Sequence, residues 1–442
     1  LLLASIYPQS VGLSVYGIGD DVKNSDPSSI SLGGAHFFSG NFKNISLGSP
    51  SSLWRSSLTR FSINTGINRM HNYYIPYQYN HNLTSFSLHF PTGLRKVFGF
   101  GLRPLFRTNK IDLNAKSYQF ISINQNNSSS SIDFDKPAYT NQMAYLNNYS
   151  IDGGISQIFL NYSQKLSQHY SIGMEYSFLF GSQFLENIFW TYDVIYSDQN
   201  SGIVIDIVSD STIYALAINE KVNQLNRIRN FSGSLLSLEL RWFKNKHELA
   251  VCMSASGKMT VDTKDKIILE NSISEIAHTF SQFTSTTNSF TYKSNSSIYE
   301  FGLGYKYDLM DHSGLTIELH KKLPFNIPKE VVLFDIQPPG QNSLHLGYYY
   351  QFINNQIGFW NSLNMKYGLY VKELDFSGDY FLDYGITLGI GLEYLANTQS
   401  LDVAFRIGQR DSRFFASDSE KYISFHIGLI NGEKWFLKRR RK

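Results

Sequence analysis

The sequence predicts an all-β chain: a transmembrane antiparallel β-barrel of fourteen strands with an N-terminal plug, or hatch, inside its lumen. Three observations predict it. Apolar residues alternate with small, polar or charged ones at period two through most of the chain, as in strands with one greasy face. The connections between these strands are short and long in strict turn. The first ~58 residues do not alternate, yet are too apolar for a solvated linker.

Composition narrows the class. Charged residues make up 17% of the 442, against roughly 25% in ordinary globular proteins. Aromatics reach 15%, with 29 Tyr and 33 Phe. No run of about 18 apolar residues occurs, so no transmembrane helix is expected. The net charge of +3 is too small to imply a nucleic-acid partner. One cysteine, Cys252, excludes an internal disulfide and a Cys-rich zinc site, and no lipoprotein anchor or cofactor is expected.

In chain order, "LLLASIYPQS" at residues 1–10 reads as the remnant of a signal peptide. Residues 11–58 form the expected plug, rich in Gly, Ser and Pro but carrying Ile30, Leu32, Phe37, Phe38, Phe42 and Leu53. The barrel spans 59–430, with strands starting near Thr59, Thr84, Val97, Ile155, His169, Phe231, His247, Tyr299, Gly314, Ser343, Trp360, Tyr384, Ser400 and Glu420. "GITLGIGLEYL" shows the pattern, with Ile386, Leu388, Ile390, Leu392 and Tyr394 set against Thr387, Gly389, Gly391 and Glu393. Short connections such as "SQH" and "KNK" alternate with long ones at 106–154, 182–230, 262–298 and 323–342. Short periplasmic turns, long extracellular loops and an even strand count mark outer-membrane barrels, so the bacterial outer membrane is the expected location. Closure satisfies every backbone group without water, as lipid demands. Tyr118–Ile123 and Ile188–Asp193 also alternate and are assigned to structured loops, with sixteen strands as the alternative. A basic tail, 431–442, closes the chain on the periplasmic side.

Arg60, Arg103, Glu175, Arg241, Glu318, His320, Lys366 and Arg406 fall on the inward parity. Mutual pairing explains most of them, since unpaired buried charge is costly. Arg103, Lys366 and Arg406 are the candidates for meeting an acidic headgroup. Phe37, Phe38 and Phe42 either line an apolar pocket or wedge the plug. Tyr348, Tyr350, Tyr394 and Tyr422 fit an interfacial aromatic belt. There is no H-E-x-x-H, G-x-S-x-G or complete phosphate loop. His169 and Ser171, expected on one strand face, are the best enzymatic hint, but two polar residues lining a lumen explain them, so no enzyme is expected.

"SISLGGAHFFSGNFKNISLGSPSSLWRSSLTRFSINTGI" resembles the plug and first strand of the FadL/TodX family of outer-membrane transporters for long-chain fatty acids and aromatic hydrocarbons. The likeness rests on Leu32-Gly33-Gly34-Ala35, Ser49-Pro50-Ser51 and Thr59-Arg60-Phe61, and on "DGGISQIFLNYSQKLSQHYSIGMEYSFLFGS" and the C-terminal strands. It covers roughly 30–442, the long loops excepted. Where the family usually has Asn-Pro-Ala, this chain has Ser-Pro-Ser, which removes an amide able to pin the plug. The resemblance implies passive uptake of hydrophobic molecules by a monomer, hatch movement, and lateral release into membrane lipid through a kink in the third strand. In "VFGFGLRPLF", Pro104 then marks a side opening, with the inward Gly99 and Gly101 leaving room beside it. Some relatives with this barrel serve as partners of protein-secretion systems, which would place a protein on the long loops. A lipid hydrolase is the third reading.

Overall fold

The structure, a computed structural model, describes residues 20–23, 26–40, 45–46, 48–71, 78–93, 95–117, 142–196, 203–208, 211–274, 280–323, 340–353, 360–376, 379–394, 398–412 and 419–433. The expected signal remnant, Phe42, Tyr118–Ile123 and the tail beyond Glu433 lie outside them. A two-residue strand β1 (Asp20–Asp21), helix α1 (Pro27–Ser31) and a 3-10 turn (Pro50–Arg55) come first. Then follow β2 (Thr59–His71), β3 (Gln78–Gly93), β4 (Lys96–Ser117), β5 (Gln142–Lys165), β6 (Tyr170–Tyr196) and β7 (Ile203–Val208). Next come β8 (Ser211–Lys244), β9 (His247–Ser256), β10 (Met259–Ser274), β11 (Phe280–Ser296), β12 (Tyr299–Met310) and β13 (Ser313–Lys322). The last are β14 (Gly340–Ile353), β15 (Trp360–Phe376), β16 (Asp379–Tyr394), β17 (Gln399–Ser412) and β18 (Glu420–Glu433).

Fourteen of these strands close an antiparallel barrel, in the order β2-β3-β4-β5-β6-β8-β9-β12-β13-β14-β15-β16-β17-β18. Closure is made by β18 on β2, from Glu433↔Thr59 to Lys421↔His71. Every strand placed from the sequence is one of these fourteen. The outward parity is apolar and exposed, for example Ile386, Leu388 and Ile390 on β16 and Leu315, Ile317 and Leu319 on β13. The inward parity is buried and polar, with Arg241, Lys306, Glu318 and Lys366 all at 0–1% exposure. A greasy exterior around a polar interior is the inverse of a soluble core, and only lipid outside stabilises it.

In three of the expected loops, at 106–154, 182–230 and 262–298, the described residues are almost all strand. β6 runs on to Tyr196 and pairs with β8 as far as Tyr196↔Ala215, so Ile188–Asp193 belongs to a wall strand continued outward. β10 prolongs β9 along β8, and β11 pairs with β10 before turning into β12. Backbone pairing carries the sheet past the membrane, where no lipid enforces alternation, which is why the pattern fades there. At 34 residues and ~3.3 Å per residue, β8 is far longer than the ~10 residues that span a bilayer. β18 likewise continues to Glu433, past the expected start of the tail.

The wall bends where this extension begins. The β4–β5 register slips between Pro104 and Phe106. Beside it Gly154 and Gly181 hold φ of 150° and 152°, and a side chain on either would strike the neighbouring strand's backbone. The inner side of the bend is filled by Leu105, Phe106, Ile155, Leu179, Phe231, Leu235, Met259, Val261 and Ile298, an apolar cluster of nine buried side chains.

Candidate functional site

The N-terminal segment threads the lumen from its outer end to its short-turn end. At the outer end Asp20 pairs with Arg410, Asp21 with Lys322 at 2.7 Å and Lys23 with Glu300 at 3.2 Å, anchoring β1 to β17, β13 and β12. α1 packs against β15, β16, β17 and β18, and the 3-10 turn against β4, β5, β6 and β8. α1 starts at Asp26, whose carboxylate accepts from the Ser29 N–H at 3.0 Å. Inward glycines of the wall form its sockets. A Cβ on Gly389 would collide with Ser31, on Gly368 with the Gly33 backbone, and on Gly173 with Ser51.

Two buried polar groups hold this segment. The Glu318 carboxylate accepts from three successive N–H groups, those of His36 (2.6 Å), Phe37 (3.0 Å) and Phe38 (3.2 Å). The Arg241 guanidinium donates to Ser51 Oγ (2.8 Å), Ser49 Oγ (2.6 Å), the Phe37 carbonyl (2.8 Å) and Glu248 (2.5 Å). Both serines also donate to Glu239. The Ser-Pro-Ser departure is therefore compensated: two hydroxyls on a charged pair pin the turn around the buried Pro50. Phe37 stacks on His320 with centroids 5.4 Å apart, Phe38 lies under Arg241, and Leu32 packs with Ala35 and Tyr349. Burial, with Lys23 second, holds the His36 imidazole well below its ordinary pKa, so it stays neutral.

The wall is not continuous beside Pro104. The β3–β4 ladder runs from Gly93↔Lys96 to Phe86↔Leu102, and among the described residues it goes no further. Above it β3 stays with β2 to Met70↔Gln78 and β4 stays with β5 to Ser117↔Tyr145. β1 occupies part of the vacated edge, pairing Asp21↔Phe106 and Asp20↔Arg107, with the Val22 N–H donating to the Leu105 carbonyl at 3.1 Å. Proline's missing donor and the bulge beside it bend β4 away from β3. The expectation for Gly99 and Gly101 does not hold. Both lie in the paired part of the ladder, opposite His89 and Ser87, and the His89 and Phe159 rings fill the space above them.

The headgroup candidates divide. Arg103 pairs with buried Glu175 and lies 4.5 Å from the Phe159 ring centroid. Lys366 meets Asp402 at 3.4 Å and Ser28 at 3.1 Å. Both charges are spent on structure, and Arg406 alone of the three makes no ion pair among the described residues. His169 is exposed in the turn before β6, whereas the Ser171 hydroxyl is buried and donates to the Ser51 carbonyl. They do not share a face, because the strand begins one residue later than expected. Tyr422 is also misplaced in the belt: it is buried in the lumen, donating to Asp383 at 2.6 Å. Sequence reasoning passed over Lys372 and Tyr370, although their inward parity with Lys366 on β15 was readable.

The BamG family model matches residues 5–442. The chain belongs to the BamG family. Comparison with curated proteins by sequence finds no match. Among solved structures, the CymD monoaromatic hydrocarbon channel aligns with a TM-score of 0.53 at 11% identity, over 93% of this chain and 98% of that one. A Pseudomonas aeruginosa FadL homologue aligns at 0.53 and 9%, over 92% and 98%. The P. putida toluene transporter TodX aligns at 0.52 and 11%, over 94% and 100%. At such identities the likeness is one of fold: this BamG-family chain is a FadL-like barrel of the bacterial outer membrane.

Proposed function

We propose that the protein is a passive outer-membrane channel for hydrophobic small molecules, long-chain fatty acids and hydrocarbons among them. The observation that carries the reading is the break in the β3–β4 ladder above Leu102, which adjoins the apolar cluster containing Leu105 and Phe106. A ligand enters among the outer extensions, rests on that cluster, displaces the N-terminal hatch and leaves sideways past Pro104 into lipid. The roles of CymD and TodX, monoaromatic hydrocarbon channel and toluene transporter, agree with such a cargo.

Proteoliposomes carrying the protein should take up labelled palmitate or toluene faster than empty ones. In a Cys252→Ser background, a short bismaleimide staple between Leu83→Cys and Leu102→Cys, both lipid-facing beside the break, should stop delivery into the bilayer. Uptake unaffected by the staple would remove the lateral route.

One observation favours a second reading, binding of a protein. Among the described residues β11 pairs only with β10, and Lys293 is its single charged residue. Edges so lightly guarded accept another strand. Recovery of a stable protein partner together with no uptake of either probe would favour it.

A further inference from the structure

Independently of any cargo, we propose that the short-turn rim beneath β3 to β9 binds the headgroups of anionic phospholipid in the periplasmic leaflet of the outer membrane. Three neighbouring turns make this rim, at 93–96, 165–169 and 244–247. Backbone bonds tie them into one surface. The Lys165 N–H donates to the Arg95 carbonyl at 3.0 Å, and the Phe243 N–H to the His169 carbonyl at 2.9 Å.

Arg95, Lys96, Lys244 and Lys246 are all exposed on this surface, as are His169 and His247. The three turns hold no aspartate or glutamate. Glu248, the acid that follows them, points inward and is taken by Arg55 at 2.9 Å and Arg241 at 2.5 Å. Among the described residues Arg95, Lys96 and Lys244 make no ion pair, and Lys246 donates to the Leu309 carbonyl at 3.3 Å. The arc is one-sided: among the described residues the short-turn ends of β14 to β18 present Glu433 and no lysine or arginine.

Strand parity sets the depth at which these charges sit. Lys96 shares the outward face of β4 with Phe98, and Lys244 that of β8 with Leu240 and Trp242. Each lies one step beyond a pair of lipid-facing aromatics. Phe98 lies with its centroid 5.0 Å from that of Tyr162, and Trp242 stands in register with Tyr170. His247 meets the Tyr305 hydroxyl at 2.7 Å in the same band. Aromatic girdles mark the edge of the hydrocarbon, so the cations fall at the level of the lipid phosphates. A zwitterionic headgroup brings an ammonium that finds no acid on this rim, whereas a net anionic one meets only cations. Arg95 and Lys96 also stand at the foot of the β3–β4 ladder that stops at Leu102, so lipid held there lies under the break.

The test places the full chain in nanodiscs of equal parts phosphatidylcholine and phosphatidylglycerol. The lipid that stays bound on extraction into mild detergent is then identified by mass spectrometry. Phosphatidylglycerol should be retained in several-fold excess over phosphatidylcholine, and the excess should shrink in high salt. A rim variant carrying Arg95→Gln, Lys96→Gln, Lys244→Gln and Lys246→Gln should retain the two lipids equally, with its heat-modifiable gel mobility unchanged. A control carrying Lys264→Gln, Lys266→Gln, Lys293→Gln and Lys421→Gln removes as many exposed charges from the outer end, and it should keep the excess. Equal retention by the parent, an excess that survives in the rim variant, or one lost as fully in the control overturns the proposal. Rim-dependent binding of soluble polyglutamate without lipid enrichment would give the surface to an acidic protein and overturn it as well.

Discussion

Glu318 holds the N-terminal segment by its backbone. A buried carboxylate taking three successive backbone N–H groups makes charge-assisted hydrogen bonds, each worth ~1.5–3 kcal/mol. Glu318→Ala should therefore weaken docking of residues 36–38 by a few kcal/mol, read as faster protease cleavage within the segment while the barrel keeps its heat-modifiable mobility. His36 adds a pH dependence. The docked imidazole is held neutral by burial, whereas an undocked one titrates near its ordinary ~6.5. Below that pH only the undocked state gains the proton, so docking is fully present above ~6.5 and weakens as pH falls. Cleavage of the segment should rise between pH 7.5 and 5, and His36→Phe should flatten the response.

At the scale of the element, β4 decides the character of the wall. It begins as an ordinary wall strand, bulges at Pro104, leaves β3 and continues outward against β5. The edge it exposes is held by β1, whose position depends on the pairs Asp20–Arg410 and Asp21–Lys322 as much as on two residues of ladder. Asp20→Asn combined with Asp21→Asn should free this edge. A cysteine at Val22, whose N–H is bonded to the Leu105 carbonyl, in a Cys252→Ser background, should then react with maleimide several-fold faster than in the parent. Unchanged labelling would mean that the backbone pairing alone suffices. The period-two pattern made β4 legible up to Leu102. It could not show that β3 turns away there, because alternation records which face a residue takes and not which neighbour the strand keeps.

At the scale of the whole molecule, the barrel and its contents are separable. The ladder closes from β18 to β2 without help from residues 20–58, so deleting them should leave a heat-modifiable barrel in the outer-membrane fraction. Such a barrel should leak hydrophilic dyes that the intact protein excludes, since the segment fills the lumen between Gly173, Gly302, Gly368 and Gly389. A deletion that fails to fold would show instead that buried charges such as Glu318 and Arg241 require their partners in the segment. Beyond the membrane the extended β6, β8, β10 and β11 make the molecule asymmetric, with one side of the barrel carrying a tall sheet.

By itself the sequence determined the number of wall strands, the face most wall residues take and the alternation of short and long connections. Those are local matters, set by lipid on one side of every strand and by connection length. Only the tertiary structure decided that Ser49 and Ser51 meet Glu239, that Arg103 and Lys366 are neutralised by Glu175 and Asp402, and that Arg406 lies against the Tyr370 ring. It also decided that strands continue into three of the long connections and that the β3–β4 ladder ends at Leu102. Each depends on which strands stand opposite across a lumen, and contacts between residues up to hundreds of positions apart leave no periodic trace in the chain.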